Sequence, residues 1–285
     1  MAQGEPVANP DGHGKPVSNL TLRIASAAVM APLAVGAAYV GDWPFALFWA
    51  IASIAVLWEW ITLVAGPHNR VMFISCASSL AVSAVIVWHG RPIAAVLLLG
   101  LGILAAVILA PRTQRAWIAG GVGYAGALLL APILLRGAGR EGFVAILLLF
   151  AVVWSTDVFG YFAGRAIGGP KLLPSVSPKK TWSGAIAGAT GAIVAALIVA
   201  AAFGGFRLTA IAVVALLLSI VSQGGDLLES SIKRHFGAKD ASSLIPGHGG
   251  VMDRLDGFWA AALLALLIGL ARGGFDDTAG GLLNW

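Results

Sequence analysis

Residues 183–204 read SGAIAGATGAIVAALIVAAAFG, with no charged side chain and no proline. A helix needs about 20 apolar residues to cross the hydrocarbon core of a bilayer, so this stretch predicts a membrane span. Stretches of the same kind lie on both sides of it. Together they mark about nine candidates: 22–40, 44–65, 71–88, 92–110, 116–135, 142–163, 183–204, 207–225 and 255–271. The residues AVILMFWYC make up 59% of the 285 positions and DEKR only 11%, against about 25% charge in soluble domains. The predicted fold class is all-α, a polytopic integral membrane protein with about nine transmembrane helices.

A formal charge of +5 on a soluble domain would suggest nucleic acid. In a membrane chain basic residues mainly set topology, and no nucleic-acid partner is expected. With the N-terminus inside, only Arg91, Arg136, Arg140, Arg207 and Arg272 of the 18 lysines and arginines fall on the far side. The split places loops 164–182 and 226–254 on one face, the cytoplasmic one.

Residues 1–20, rich in Gly, Pro and Asn, are expected to be a disordered cytoplasmic N-terminus. The apolar run after them starts too late and is too long for a signal-peptide core. Residues 21–150 form a generic set of spans, 151–272 a transmembrane region carrying the chemistry, and 273–285 a tail without a readable role. Cys76, the sole cysteine, excludes an internal disulfide and a cysteine metal site and reads as a packing residue.

Small residues at four-residue spacing, as at Gly184 and Gly188, or Gly120 and Tyr124 with Gly123 beside them, let helices approach closely in lipid. The same faces permit a homodimer. Glu59 in LWEW is the one acid inside the second span and so a functional candidate. Its neighbours Trp58 and Trp60 suggest an interfacial position instead, and both readings stay open. His13, His68, His89 and His235 are isolated in loops or tails.

Charge collects in two places. The first is STDVFGYFAGRAIGGPKLLPSVSPKKTWSG, residues 155–184. On a helix Asp157, Tyr161 and Arg165 share one face. Lys171 follows a Gly-rich bend, and Lys179 and Lys180 then precede the next helix, where charge and free amides together can hold phosphate. GRAIGG lacks both the glycine spacing and the preceding strand of a dinucleotide fingerprint.

The second place begins QGGDLLESSIKRHFGAKD at Gln223. Asp226, Glu229 with Ser230, and Lys233 line one helical face. IPGHGG is a flexible turn centred on His248, and Asp253 and Asp256 open the ninth span on a common face. Several carboxylates without cysteine suit a hard cation such as Mg²⁺ that bridges phosphate oxygens.

The second segment resembles the signature of the phosphatidate cytidylyltransferases (CDP-diacylglycerol synthases): Ser, two residues, Lys-Arg, four residues, Lys-Asp, a Pro-x-His-Gly-Gly turn, then Asp-Arg-x-Asp. The matching positions are Ser230, Lys233, Arg234, Lys239, Asp240, Pro246, His248, Gly249, Gly250, Asp253, Arg254 and Asp256. The first segment is similar to the family's other shared region at Asp157, Gly164, Arg165, Ser177, Pro178, Lys179, Lys180 and Thr181. One departure is Ser183, where the family often has Glu. The resemblance spans about residues 150–260, and no site is carried into the N-terminal half.

The resemblance implies an Mg²⁺-dependent transfer from CTP to phosphatidate, giving CDP-diacylglycerol and pyrophosphate, in a bacterial plasma membrane with the site facing the cytoplasm. On it, Asp226 and Asp253 hold the metal, with Asp256, Asp157 and Glu229 as further candidates. Asp226, Asp253, Lys180 and Lys233 carry catalysis. Lys179, Lys180, Ser230, Lys233, Arg234, Lys239 and Arg254 hold phosphate, and His248, Gly249 and Gly250 shape the nucleotide loop. Membrane lipid is the remaining expected partner. The alternatives are another CTP-using lipid enzyme, such as a CDP-archaeol synthase or polyprenol kinase, and an ion-coupled transporter. The last would require midplane charges in both halves and internal repeats, and neither is found.

Overall fold

The computed structural model describes residues 19–66, 69–245 and 249–285, with side chains from residue 28 onward. Nine helices follow the nine predicted spans: α1 (Asn19–Val40), α2 (Asp42–Ala65), α3 (Arg70–Trp88), α4 (Pro92–Leu109), α5 (Arg115–Arg136), α6 (Gly139–Ile167), α7 (Trp182–Phe203), α8 (Leu208–His235) and α9 (Met252–Gly273). Among the described residues α2 to α9 are long and apolar enough to cross a membrane, while α1 contributes a shorter apolar helix, Ala28–Val40. Residues 1–18 of the expected disordered tail lie outside the described residues, and Asn19 and Leu20 open α1.

Two helices overrun their predicted spans. α6 has 29 residues and α8 has 28, about 42–44 Å at about 1.5 Å per residue, against a hydrocarbon core of about 30 Å. The extra residues carry Arg165 on α6 and Asp226 to Lys233 on α8, so charge collects at one end of the bundle. Between α6 and α7 the chain forms a hairpin, β1 (Lys171–Leu173) and β2 (Ser177–Thr181), pairing Lys171 with Thr181 and Leu173 with Ser177. This ribbon departs from an all-α fold only locally. Lys179 and Lys180 therefore stand on a strand, not in the first turn of α7, whose N-cap is Thr181.

α5 and α6 form the centre. Of the apolar window of α5, 67% is buried within the protein, against 17% for α4, whose Ile93, Leu97, Leu101 and Ile108 face outward as lipid-facing residues do. Cys76 is buried in α3. The small-residue face of α7 is used inside the chain: a Cβ at Gly184 would come within 2.7 Å of the Gly160 carbonyl, and one at Gly188 within 2.7 Å of that of Thr156. α6 and α7 thus meet backbone to backbone. Gly225 and Gly257 do the same for α8 and α9, bringing Asp226 and Asp256 to one place.

The opposite end is closed largely by arginines spent on backbone carbonyls. Arg136 is buried and donates to the carbonyls of Ala38 at 2.5 Å, Tyr39 at 3.3 Å and Gly139 at 3.3 Å. The expected tail is instead structured: α10 (Thr278–Leu283) is buried against α9, α6 and α5. Arg272 clasps it, donating to Gly281 O at 2.6 Å and Asn284 O at 2.8 Å and lying 3.8 Å above the Trp285 ring.

Overpacking a close contact costs about 1–3 kcal/mol, so Gly188→Leu is expected to lower unfolding stability by about that much in an SDS titration of detergent-solubilised protein. Gly100→Ala, where an added Cβ meets nothing within 4 Å, is expected to leave stability unchanged or slightly raised. Equal stability of the two variants would contradict the α6–α7 packing.

Candidate active site

The two charged segments, far apart in sequence, meet at one end of the bundle. The hairpin delivers Lys180 to Asp226 on α8, where they form an ion pair. Around this pair lies a polar cavity of about 560 Å³ lined by α6, the hairpin, α7 and α8. It is bordered by two acids, Asp157 and Asp226, and by the cations Arg165, Lys171, Lys179 and Lys180. The predicted face of α6 is present: Asp157, Tyr161 and Arg165 all line the cavity, and Arg165 donates to the Tyr161 hydroxyl at 3.1 Å. Ser183, where the resemblance departs, donates to Gly168 O and bonds Thr181 Oγ1 at 3.0 Å, tying the hairpin base to α7.

A second, apolar groove of about 480 Å³ runs between α7 and α8, past Trp182, Ile186, Ile193, Leu216 and Ile220. Leu172, Ala185 and Gln223 line both spaces. Hydrocarbon and charge therefore adjoin across these three residues.

Deeper in, α8 and α9 hold an ionic network. Lys233 lies buried with its ammonium 2.6 Å from Glu229, one turn back, and paired also to Asp253. Asp253 Oδ2 accepts from the amides of Ala241 at 2.9 Å and Gly250 at 2.7 Å. The predicted face of α8 is present too, with Ser230 Oγ 3.4 Å from Asp226 Oδ1. Asp256 accepts the amide of Gly257 at 2.7 Å and lies within electrostatic reach of Asp226, Glu229 and Asp157.

The residues beyond α8 are more open. Arg234 donates to Ala238 O at 3.3 Å, Lys239 and Arg254 are exposed, and Arg254 acts electrostatically on Asp157. Pro246 and His248 lie outside the described residues, as do His13 and His68. Gly249 and Gly250 do let bare backbone approach a partner, and that partner is carboxylate: a Cβ at Gly249, whose φ is +82°, would fall 2.6 Å from Asp253 Oδ2, and one at Gly250 would fall 2.5 Å from Glu59 Oε1.

The N-terminal half enters the site at two points. Glu59 is fully buried and accepts from Ser242 Oγ at 2.6 Å, Val251 N at 2.8 Å and Met252 N at 2.7 Å. Trp60 is turned inward as well, donating to Trp117 O at 2.8 Å. Tyr124 of α5 is buried, its hydroxyl has no hydrogen-bond partner among the described residues, and Asp226, Glu229, Asp253 and Asp256 all act on it. An intramembrane acid was a usable signal for Glu59. Nothing local distinguishes Tyr124 from a packing residue, and only the fold aims it at the acids.

Among the described residues no three carboxylates are arranged as a ready-made metal cage. Asp157, Asp226, Glu229 and Asp256 nevertheless lie within electrostatic reach of one another, and an all-oxygen donor set of this kind is the type a hard divalent cation takes.

A model of the cytidylyltransferase family matches residues 21–270. The phosphatidate cytidylyltransferase of Brucella abortus is 46% identical over 259 residues, which cover 89% of this chain and 94% of that protein. Those of Bacillus subtilis and Haemophilus influenzae are 39% and 43% identical over 132 and 126 residues, 44% and 42% of this chain and 46% and 44% of theirs. The likeness thus reaches well into the N-terminal half, beyond the 150–260 region that carries the motifs.

Removing one partner of a buried ionic cluster costs about 3–5 kcal/mol, so Lys233→Met is expected to destabilise by that order in an SDS titration. Lys180 and Asp226 keep 29% and 25% of their side-chain surface exposed, and Lys180→Met is expected to cost no more than about 1 kcal/mol. The reverse ranking would contradict the network.

Proposed function

This chain belongs to the cytidylyltransferase family, and from that premise we infer that it transfers the cytidylyl group of CTP to phosphatidate, forming CDP-diacylglycerol and releasing pyrophosphate. The observation that carries the substrate assignment is the shared border of the cationic cavity and the apolar groove. A diacyl phosphate is the kind of molecule that needs both at once: phosphate against Lys171, Lys179, Lys180 and Arg165, and an acyl chain between α7 and α8. The nucleotide then approaches from the aqueous end, over Arg234, Lys239, Arg254 and the glycine turn.

The chemistry asks little of a general base. An oxygen of the lipid phosphate is already anionic. It attacks the α-phosphorus of CTP, a new P–O bond forms, the bond to the β-phosphate oxygen breaks, and pyrophosphate leaves with the electron pair. The protein's contribution is in-line positioning and compensation of charge. Lys180 is paired with Asp226; we propose that on binding of the lipid it passes to phosphate, which frees Asp226. Lys233 stays buried between Glu229 and Asp253 and acts by fixing the α8–α9 junction more than by touching phosphate.

The expected Mg²⁺ would be held by Asp226 and Asp256, with Asp253, Asp157 and Glu229 close by. Asp253 already spends Oδ2 on two amides and Oδ1 on Lys233, which favours Asp256 over it. When bound, the cation would supply charge compensation at the phosphates and the leaving pyrophosphate. The positive-inside distribution supports a cytoplasmic site in a bacterial plasma membrane.

Purified protein given phosphatidate, labelled CTP and Mg²⁺ is expected to form CDP-diacylglycerol, and Asp226→Asn to lower kcat at least about 100-fold, the order of losses on removing a charge-stabilising group. No product from the unaltered chain would end the assignment. Ile186→Trp, which fills the groove, is expected to raise KM for phosphatidate and leave KM for CTP unchanged, the pattern of lost uniform binding to one substrate. Equal shifts in both constants would remove the acyl chain from the α7–α8 groove.

A further inference from the structure

Tyr124 sits on α5 between two indoles. Its ring centroid lies 5.2 Å from that of Trp60 on α2 and 4.3 Å from that of Trp259 on α9. Trp60 is itself held, because its indole donates to Trp117 O at 2.8 Å. Gly121, on α5 just before Tyr124, leaves the room that Trp60 occupies: a Cβ there would fall 2.3 Å from Trp60 Cδ1. The tyrosine is 5% exposed. Packing therefore accounts for an aromatic ring at this position, but not for a hydroxyl on it.

That hydroxyl has no hydrogen-bond partner among the described residues. A buried hydroxyl left so loses its hydration without compensation, and phenylalanine would fill the same space without that loss. What surrounds it is charge: Asp256, Glu229, Asp226 and Asp253 all act on it, Asp256 most strongly of the four, and none of them bonds it directly. Asp226 and Asp256 are also the acids that fit a cation best. The hydroxyl and these carboxylates thus share one region while standing further apart than a hydrogen bond, the separation that a metal-bound water spans. Magnesium dehydrates reluctantly and keeps several of its waters. Such a water has its lone pair on the metal and donates its hydrogens outward, and a phenolic oxygen can accept one.

We propose that Tyr124 is a positioning residue of the cation site, its hydroxyl accepting a hydrogen bond from a water on the divalent cation that Asp226 and Asp256 hold. The proposal rests on the reading of those acids as the cation site. It goes further in giving α5, from the N-terminal half, a share in holding the metal. Partners one shell out from a metal orient its ligands, and losing one typically costs about 10–100-fold in metal affinity. The rigid seat between Trp60 and Trp259 is what such a role requires, since a hydroxyl free to swing would orient nothing.

The test uses the full chain in detergent and Mn²⁺ as the probe, with free Mn²⁺ read from its electron paramagnetic resonance signal, so that no turnover is involved. Thermal unfolding in EDTA is measured alongside. Tyr124→Phe removes only the hydroxyl and is expected to weaken Mn²⁺ binding about 10-fold. Its unfolding midpoint in EDTA is expected to be unchanged or higher, because the group removed has no partner without the cation. Trp60→Phe disturbs the same packing and keeps the hydroxyl, and it is expected to do the reverse, lowering the midpoint with Mn²⁺ affinity unchanged. A Tyr124→Phe chain that binds Mn²⁺ as tightly as the unaltered one overturns the proposal. So does weaker binding that Trp60→Phe reproduces in step with lost stability, and so does a Tyr124→Phe chain that fails to fold, which would make the hydroxyl a structural group. An unaltered chain that takes up no Mn²⁺, or an Asp226→Asn chain that takes it up undiminished, overturns instead the reading of the acids beneath it.

Discussion

Lys233 carries its ammonium into the bundle and stops between Glu229 and Asp253, and the geometry of the polar end follows from that placement. A buried amine is tolerable only with its charge matched and its hydrogens used. Meeting that condition draws α8 and α9 together at the polar end. Gly225 and Gly257 allow the approach. Asp226 and Asp256 then lie within electrostatic reach of each other, and Lys180 from the hairpin pairs with Asp226.

Around that junction the molecule separates its tasks. The apolar surfaces of α3 and α4 and the outer face of α7 meet lipid, the cavity gathers the cations, and the α7–α8 groove links the two. Every acid of the site lies at one end, including Glu59 from the N-terminal half. Such one-sidedness is what a transferase working on a lipid headgroup needs. An ion pathway would instead carry charge toward the midplane. The opposite end uses its arginines differently, with Arg136 and Arg272 spent on backbone carbonyls to close turns and dock α10.

Much of this was legible beforehand because it is local. A span is a run of apolar residues, so all nine helices fell near their predicted positions. A helical face repeats every three or four residues, so Asp157 with Tyr161 and Arg165, and Asp226 with Glu229, Ser230 and Lys233, could be grouped correctly. The hairpin at Lys171–Thr181 was harder to see. Its strands are three and five residues long, too short for alternation to register, and the Ser-Pro-Lys-Lys stretch reads equally well as a helix entrance. The tail has no readable role in the sequence because Thr278–Leu283 is short and its partners are on other helices.

The sequence by itself determined a polytopic helical membrane protein, the residues that carry charge and their grouping into two segments. Those properties depend on transfer free energies and on periodicities of a few residues, which act along the chain. Only the tertiary structure decided what each charge touches: that Lys233 is sequestered between acids, that Lys180 pairs with Asp226, that Tyr124 lies within electrostatic reach of four carboxylates, and that Glu59 caps a helix nearly 200 residues away. A carboxylate buried at zero exposure and one resting at an interface have the same neighbours in sequence. Their difference lies in which donors the packing of other helices brings within about 3 Å, the range over which a hydrogen bond acts.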